Sequence, residues 1–296
     1  MRRLIVNADD FGLTRGINRA VLDLHRLGAL HSTTLMASAP RFAEAAEISR
    51  QQTSLGVGCH IVLVDGTPVA NPTAIPSLLG SKKRLDGARQ FRPTLGQFVR
   101  DLYLGRIDRA QIEQEAIAQI RQLRQAGVAV THIDTHKHTH MFPVVLDGVM
   151  RAATACDVPA IRNPFEPLWS IRAAPRAGLV RKRQVRLLGK LHGNFVKLAT
   201  ERGFATTDGC VGIAATGTLD ESSLHRLLNH LPEGTWELVC HPAYMDAELA
   251  ATATRLQHSR QLEASALQTL PAILSAIVAP VELIHFGQLA TDPAHL

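Results

Sequence analysis

The sequence predicts an α/β fold, an irregular (β/α) barrel that is TIM-barrel-like. Short apolar runs alternate with helical patterns through the whole chain, and this alternation is typical of a mostly parallel sheet. Seven or eight candidate strands can be counted, a number that favours a barrel over an open sheet. Although 296 residues would suffice for two domains, barrels of this length commonly form one, so we predict a single domain over 1–296.

The individual elements follow from local hydrophobic patterns. Apolar runs predict strands near 4–6, 32–37, 55–64, 128–133, 160–162, 211–214, 236–240 and 281–285. Apolar residues spaced three or four apart predict helices near 15–28, 41–50, 108–126, 143–155, 220–230 and 255–277. Pro143 suits the first turn of its helix, because its missing N–H is not needed there. Residues 66–97 are rich in Pro and Gly and show little periodicity, so we predict a long loop.

Composition excludes several classes of protein. A chain that is 46% hydrophobic and 20% charged is too apolar to be intrinsically disordered. Its four cysteines lie far apart without a Cys-x-x-Cys pair, which argues against a zinc finger and a dense disulfide framework. There is no Gly-x-Gly-x-x-Gly and no P-loop, so no nucleotide cofactor is predicted. Only three apolar residues precede the first carboxylates, and we predict a cytoplasmic protein without a signal peptide.

The positive charge is concentrated in one helical segment, 172–202. It holds nine basic residues against one acid, Glu201, whereas the net charge of the whole chain is +6. Apolar residues interleave with the basic ones. Such a basic amphipathic helix either packs its apolar stripe on the core, contacts an anionic membrane surface or, least expected here, binds nucleic acid. Aromatic residues make up only 4% of the chain, which also argues against stacking on single-stranded nucleic acid.

Polar residues at four predicted strand ends mark the candidate site. In parallel α/β folds the active site forms at the carboxyl ends of the strands. Asp9 and Asp10 follow the first strand, His60 lies in the third and His241 ends a late one. Burying two adjacent carboxylates requires a cation or a shared proton. We therefore expect these strand ends to converge on one ion.

The run THIDTHKHTH at 131–140 is the strongest single signal, with four histidines in nine positions. If the run is extended, His136, His138 and His140 share one face, whereas a helix would make His136 and His140 neighbours. Either geometry can offer imidazoles to a divalent metal. One carboxylate and two histidines leave positions open for water and substrate, and a neighbouring carboxylate and histidine can supply base and acid. The set predicts metal-assisted hydrolysis of an amide or ester.

Four motifs resemble the YdjC-type carbohydrate deacetylase family, which includes ChbG and HpnK proteins. They are NADDFG at 7–12, GCHIVL at 58–63, HIDTHKH at 132–138 and ELVCHP at 237–242. The chain departs from the family pattern at Cys59, where Leu is common, and at Ala243, where Gly is frequent. The resemblance covers nearly the whole chain, and its specificity comes from the four motifs together.

This resemblance implies an irregular (β/α) barrel that removes N-acetyl groups from an amino sugar. By analogy with the family, Asp10, His60 and His136 hold one divalent ion, either Mg²⁺ or Zn²⁺. Asp9 would be the base and His241 the acid. Arg162, after a short strand, would orient the acetyl group or acetate, or would form a structural ion pair; His138 is a second candidate for substrate binding.

The segments 63–68 and 75–79 are similar to the HpnK branch, which is associated with hopanoid biosynthesis. That similarity implies an N-acetylglucosaminyl lipid as substrate and agrees with membrane contact through 172–202. Two rival functions stay open: a metal-dependent phosphoesterase or nuclease, and a non-catalytic carbohydrate- or lipid-binding protein with a structural metal. We expect no nucleic-acid partner, and leave open a homo-oligomer.

Overall fold

Strands and helices alternate along the chain in the computed structural model, which describes residues 1–83, 87, 89–174 and 178–291. The strands β1 to β9 are Arg2–Phe11, Ser32–Leu35, Gly56–Ile61, Leu79–Lys83, Arg89–Phe91, Val130–Thr135, Gly209–Val211, Gly234–Cys240 and Val281–Leu283. The helices α1 to α13 are Arg15–Arg26, Phe42–Gln51, Leu95–Tyr103, Arg109–Gln125, Pro143–Ala155, Leu168–Ala173, Leu179–Leu188, His192–Glu201, Glu221–Asn229, Ala247–Ala251, Gln257–Gln268, Leu270–Ala276 and Phe286–Leu289.

The main sheet is parallel and curls into a half-barrel surrounded by helices. Its strand order is β6-β3-β2-β1-β8-β7, and β9 pairs with the first residues of β1. Isolated parallel bridges, Ile133 to Ile161 and Ala160 to Ala205, continue the pairing from β6 toward the segment that precedes β7. The strand predicted near 160–162 is thus present only as isolated bridges. The predicted irregular, TIM-barrel-like α/β fold is confirmed.

The core lies inside the barrel and between the barrel and its helices. Every residue of β3 is buried, as expected for a parallel strand covered on both faces. Helix α4 buries Ile112, Ile120 and Leu123 and packs against α5. Thr14 caps α1 by accepting a hydrogen bond from the backbone N–H of Ile17. These contacts set the helices against the strands and hold the strand ends in place.

Two predicted elements differ in the structure. The predicted loop 66–97 contains the antiparallel hairpin β4-β5 and the first turn of α3. Part of its order comes from Glu115 of α4, whose carboxylate accepts hydrogen bonds from the backbone N–H groups of Val69 and Ala70. The predicted helix 255–277 is two helices, because Pro271 lies in the first turn of α12 and has no N–H to donate to the preceding turn.

Helix α7 and helix α8 account for most of the basic segment 172–202, with a 3₁₀ turn between them. Arg176, one of its nine basic residues, lies outside the described residues. None of the helices that the structure describes has the length and apolarity needed to span a bilayer. The single domain over 1–296 stays a prediction.

Candidate active site

Four strands carry polar side chains to the carboxyl end of the barrel, as the sequence predicted. At or just after the ends of β1, β3, β6 and β8 lie Asp9, Asp10, His60, Asp134, His136 and His241. These side chains are buried, apart from His136, which is 18% exposed and gives the cluster an opening to the surface. We call Asp9, Asp10, His60 and His136 the rim cluster.

Asp9 and Asp10 face the same cleft although they are neighbours in a strand. In an extended strand, successive side chains point to opposite faces of the sheet. Asp10 has a φ of 65°, in the left-handed region that Asp tolerates better than most residues, so the alternation is broken there. Both carboxylates can therefore line one cleft, with Asp10 beside His60 and Asp9 toward His241.

Three atoms of the rim cluster form a nearly equilateral triangle. Asp10 Oδ1 lies 3.2 Å from His136 Nδ1 and 3.5 Å from His60 Nε2, and the two imidazole nitrogens are 3.3 Å apart. Metal–ligand bonds of 2.0–2.1 Å at tetrahedral angles place ligand atoms about 3.3 Å apart. The triangle therefore has the dimensions of three ligands on one ion.

The surroundings of this triangle also suit a cation. Asp10 Oδ1 is buried and has no hydrogen-bond partner among the residues that the structure describes. Burial lowers the pKa of His60, but the Asp134 carboxylate and other acids outweigh it and raise that pKa to about 10. This imidazole therefore sits where positive charge is favoured. Two imidazole nitrogens and one carboxylate oxygen are a donor set for zinc or another transition ion.

Asp9 is held in place by hydrogen bonds on both carboxylate oxygens. Arg162 donates to Oδ1 at 2.6 Å and to Oδ2 at 2.9 Å, and Asn7 donates to Oδ1 at 3.0 Å. Burial raises the pKa of Asp9, but the charge of Arg162 and two nearby imidazoles outweigh it and hold that pKa far below its usual range. Asp9 is therefore ionised at neutral pH and can accept a proton.

Arg162 lies behind Asp9 and forms ion pairs with three acids. Its side chain is 0% exposed, and besides Asp9 its guanidinium contacts Asp134 at 2.5 Å and Glu237 at 2.7 Å. Its predicted contact with the acetyl group or acetate stays a prediction. Burial raises the pKa of Glu237 to about 7 although Arg162 lowers it, so this third carboxyl group changes its charge near neutral pH.

Helix α11 holds the other side of the site. Arg260 Nη2 forms an ion pair with Asp10 Oδ2, on the side of Asp10 away from the triangle. One turn later, the Glu263 carboxylate accepts a 2.6 Å hydrogen bond from the backbone N–H of His241 and lies 3.8 Å from its Nδ1. His241 Nε2 is 3.9 Å from Asp9 Oδ2, so the predicted acid and the predicted base lie side by side.

The histidine run contributes one imidazole to the triangle, His136. The buried His140 is used structurally, because its Nδ1 lies 2.7 Å from a threonine hydroxyl and its Nε2 lies 3.2 Å from a backbone carbonyl oxygen. His132 stacks on Phe286 with ring centroids 3.9 Å apart. His138 is half-buried and its Nδ1 lacks a partner in the described part of the chain. A substrate contact through His138 stays a prediction.

Four site residues escaped the reasoning from sequence. Asp134 lies within the histidine motif, whose histidines are the more obvious metal ligands. Glu237 lies in an apolar strand. Arg260 and Glu263 are three apart on a helix and are both almost fully buried. Opposite charges at that spacing on the buried face of a helix are a usable signal, because unpaired buried charges are rare.

The fold and the site define a class: a TIM-barrel-like α/β protein with acids, bases and candidate metal ligands at the carboxyl ends of its strands. The chain belongs to the family of YdjC-like proteins, whose family model matches residues 3–274. The resemblance that the four motifs predicted is therefore confirmed at the level of the family.

Curated relatives share one description. A carbohydrate deacetylase of Thermoanaerobacter pseudethanolicus is 30% identical over 251 residues, covering 84% of each chain. A carbohydrate deacetylase of Geobacillus stearothermophilus is 29% identical over 277 residues, covering 93% of this chain and 92% of its own. A crystal structure from Enterococcus faecalis V583, named for a proposed role in cellobiose-phosphate cleavage, has a TM-score of 0.73 at 22% identity, with 98% and 99% coverage. That likeness supports the fold.

Proposed function

We propose that the protein is a divalent-metal-dependent hydrolase that removes the N-acetyl group from an N-acetylglucosamine-containing substrate. The observation that carries the proposal is the triangle of Asp10, His60 and His136, with an ionised Asp9 and His241 beside it. The relatives named carbohydrate deacetylases support the sugar substrate and the amide hydrolysis. They also favour this reading over a phosphoesterase or a non-catalytic binding protein.

In this proposal Asp10, His60 and His136 hold the cation. When bound there, a divalent cation supplies a Lewis acid that polarises the acetamide carbonyl and acidifies water. Asp9 accepts a proton from the attacking water while the oxygen of that water bonds to the carbonyl carbon. Arg162 acts as a positioning residue, because its two hydrogen bonds fix the orientation of the Asp9 carboxylate.

His241 completes the reaction from the Asp9 side of the site. The C–N bond breaks as His241 donates a proton to the departing nitrogen, and the products are acetate and a free amino sugar. Glu263 orients His241 through the hydrogen bond to its backbone N–H and lies near Nδ1, which leaves Nε2 directed toward the cleft. Base and acid thus act on the same bond from adjacent positions.

The test is acetate release from a water-soluble oligosaccharide of N-acetylglucosamine, with and without a chelator. We expect release that stops with the chelator and returns with a divalent ion, and metal analysis of the purified protein identifies that ion. The donor set favours Zn²⁺ over Mg²⁺. Acetate release that is indifferent to the chelator would refute the metal-dependent part. Salt-sensitive cleavage of DNA or RNA without acetate release would instead favour the phosphoesterase.

The finer substrate is either an oligosaccharide or a glycosylated hopanoid lipid. The lipid is supported by the similarity of 63–68 and 75–79 to the HpnK branch. Comparing acetate release from an N-acetylglucosaminyl lipid in micelles and from the oligosaccharide tests it, since a lipid-specific enzyme has the higher kcat/KM on the lipid. The cytoplasmic location and a homo-oligomer stay predictions from the sequence.

A further inference from the structure

The outer face of α7 combines exposed aliphatic and basic side chains. We call it the α7 surface, and its members are Leu179, Val180, Arg183, Arg186 and Leu187 of α7, with Lys190 of the 3₁₀ turn that follows. The three aliphatic side chains are 78%, 71% and 63% exposed. Exposed aliphatic residues that cluster on one face usually mark an interaction surface, whereas scattered ones do not.

Helical spacing places these six residues on one side. Leu179, Arg183 and Leu187 are four residues apart, and Val180 lies seven residues before Leu187. The opposite side of α7 faces the barrel through Val185, which is buried. This helix therefore has two apolar faces: a narrow one that packs on the protein and a broader, basic one that does not.

The charges on the α7 surface are not neutralised by any acid in the described part of the chain. Among the residues that the structure describes, none provides a carboxylate within ion-pair distance of Arg183, Arg186 or Lys190. If these cations were paired with acids of the same protein, the face would need no partner other than water. Uncompensated cations beside exposed aliphatic groups match the two requirements of an anionic lipid surface, a negative headgroup layer over an apolar interior.

The α7 surface also begins at the end of the barrel that holds the candidate site. The Arg181 guanidinium donates to the carbonyl oxygen of Ile213, which follows β7, so the start of α7 lies at the carboxyl ends of the strands. The next helix is tied to the same region, because His192 Nε2 lies 3.3 Å from Asn163 Nδ2, next to Arg162. A membrane on this face would lie beside the cleft.

We propose that the α7 surface binds peripherally to bilayers that contain anionic lipids. Leu179, Val180 and Leu187 enter the interfacial region, and Arg183, Arg186 and Lys190 contact the headgroups, their alkyl stems lying along the apolar layer. A nucleic acid would use the cations but would leave three exposed aliphatic side chains in water. The aliphatic residues are therefore what separates a lipid partner from a polyanion.

Co-sedimentation of the full chain with vesicles tests the proposal. The vesicles are phosphatidylcholine with or without phosphatidylglycerol. One variant reverses charge (Arg183→Glu, Arg186→Glu and Lys190→Glu), and a second removes aliphatic groups (Leu179→Ser, Val180→Ser and Leu187→Ser). The matched control makes the same charge change at exposed positions elsewhere, Arg26→Glu, Arg121→Glu and Arg226→Glu. Thermal unfolding shows whether each variant folds.

We expect the wild type and the control to bind only the anionic vesicles, and each α7 variant to bind at least about tenfold more weakly. No binding by the wild type overturns the proposal, and so does a charge-reversed variant that binds as well as the control. A serine variant that binds the anionic vesicles as tightly as the wild type overturns the lipid assignment in favour of a polyanion. Because the assay contains no substrate, these outcomes leave the proposed deacetylase activity untouched.

Discussion

Histidines cluster at both ends of the barrel, with opposite electrostatics. At the carboxyl end, carboxylates surround His60 and raise its pKa to about 10. At the amino end, His25, His31 and His285 form an amino-end cluster in which burial and neighbouring imidazoles lower the pKa of His31 and of His285. The partners of His25 there are a backbone carbonyl and a serine hydroxyl. The comparison teaches that acids beside histidines, and not the number of histidines, make a candidate metal site.

Removing the carboxylate of the triangle is the strongest test of the difference between the two histidine clusters. Asp10→Asn should abolish stoichiometric metal binding and lower kcat/KM for acetate release by at least about 10⁴-fold, because the Lewis acid is lost with the ion. His25→Ala at the amino-end cluster is the matched control and should keep both. Metal analysis and acetate release measure the two effects. Full metal content in Asp10→Asn would remove this residue from the ligand set.

Asp9→Asn separates the base from the ligands. Metal content should stay at the wild-type level while kcat falls by about 10²- to 10⁴-fold, the usual contribution of a general base. The amide keeps the size of the side chain and loses its proton-accepting charge. Metal analysis on the same sample as the kinetics is decisive, since a metal-free Asp9→Asn protein would make Asp9 a ligand.

Arg162 tests what allows acids to be buried at the carboxyl end, because its guanidinium forms ion pairs with three of them. Arg162→Met should lower the free energy of unfolding by about 3–5 kcal/mol, as three buried carboxylates lose their partner. Arg162→Lys keeps the charge but cannot hold both oxygens of Asp9, so kcat should fall about tenfold at unchanged KM. Urea unfolding and steady-state kinetics measure these effects. Equal stability of wild type and Arg162→Met would contradict the buried network.

Glu263→Gln tests the orientation of His241, and we expect a smaller loss of kcat than for the preceding variants. Glutamine can still accept the hydrogen bond from the backbone N–H of His241 but lacks the charge near Nδ1. We expect kcat to fall a few-fold at unchanged KM, because the imidazole of His241 is oriented less firmly when the carboxylate 3.8 Å from its Nδ1 is lost. A change in KM alone, with kcat unchanged, would contradict this role of Glu263.

The smallest effect on activity belongs to the amino-end cluster. His31→Asn should leave metal content and kcat unchanged. The folded protein disfavours protonated His31, so stability is complete above about pH 6.5 and decreases as the pH falls below it. The variant should show a shallower decrease in Tm between neutral and acid pH than the wild type. An identical decrease would mean that His31 makes no contribution to acid sensitivity.

The predictions from sequence succeeded where the signal is local. Asp9 and Asp10 directly follow a short apolar run, and the dense run 131–140 contains His136, so both strand ends could be located without a structure. Periodicity located α1, α2, α4, α5 and α9 to within two residues at each end. These features depend on backbone preferences and on the pattern of apolar residues, and a few neighbouring positions in the sequence determine each of them.

The failures are long-range. Arg162 stands 153 positions from Asp9, and nothing near it in the chain says that its guanidinium is enclosed by three carboxylates. Arg260 lies 250 positions from Asp10, and its pairing depends on where α11 packs. The roles of such residues are settled by the approach of distant elements, which no local pattern encodes.

By itself the sequence determined the kind of fold, the family and the strand ends at which chemistry is expected, because period, turn residues and short motifs are local properties. Only the tertiary structure decided which side chains share the cleft. It closed three atoms to within 3.5 Å of one another, buried Arg162 behind Asp9, and turned the apolar and basic residues of α7 outward. Distance and burial set the strength of every electrostatic interaction, and both arise only when the chain has folded.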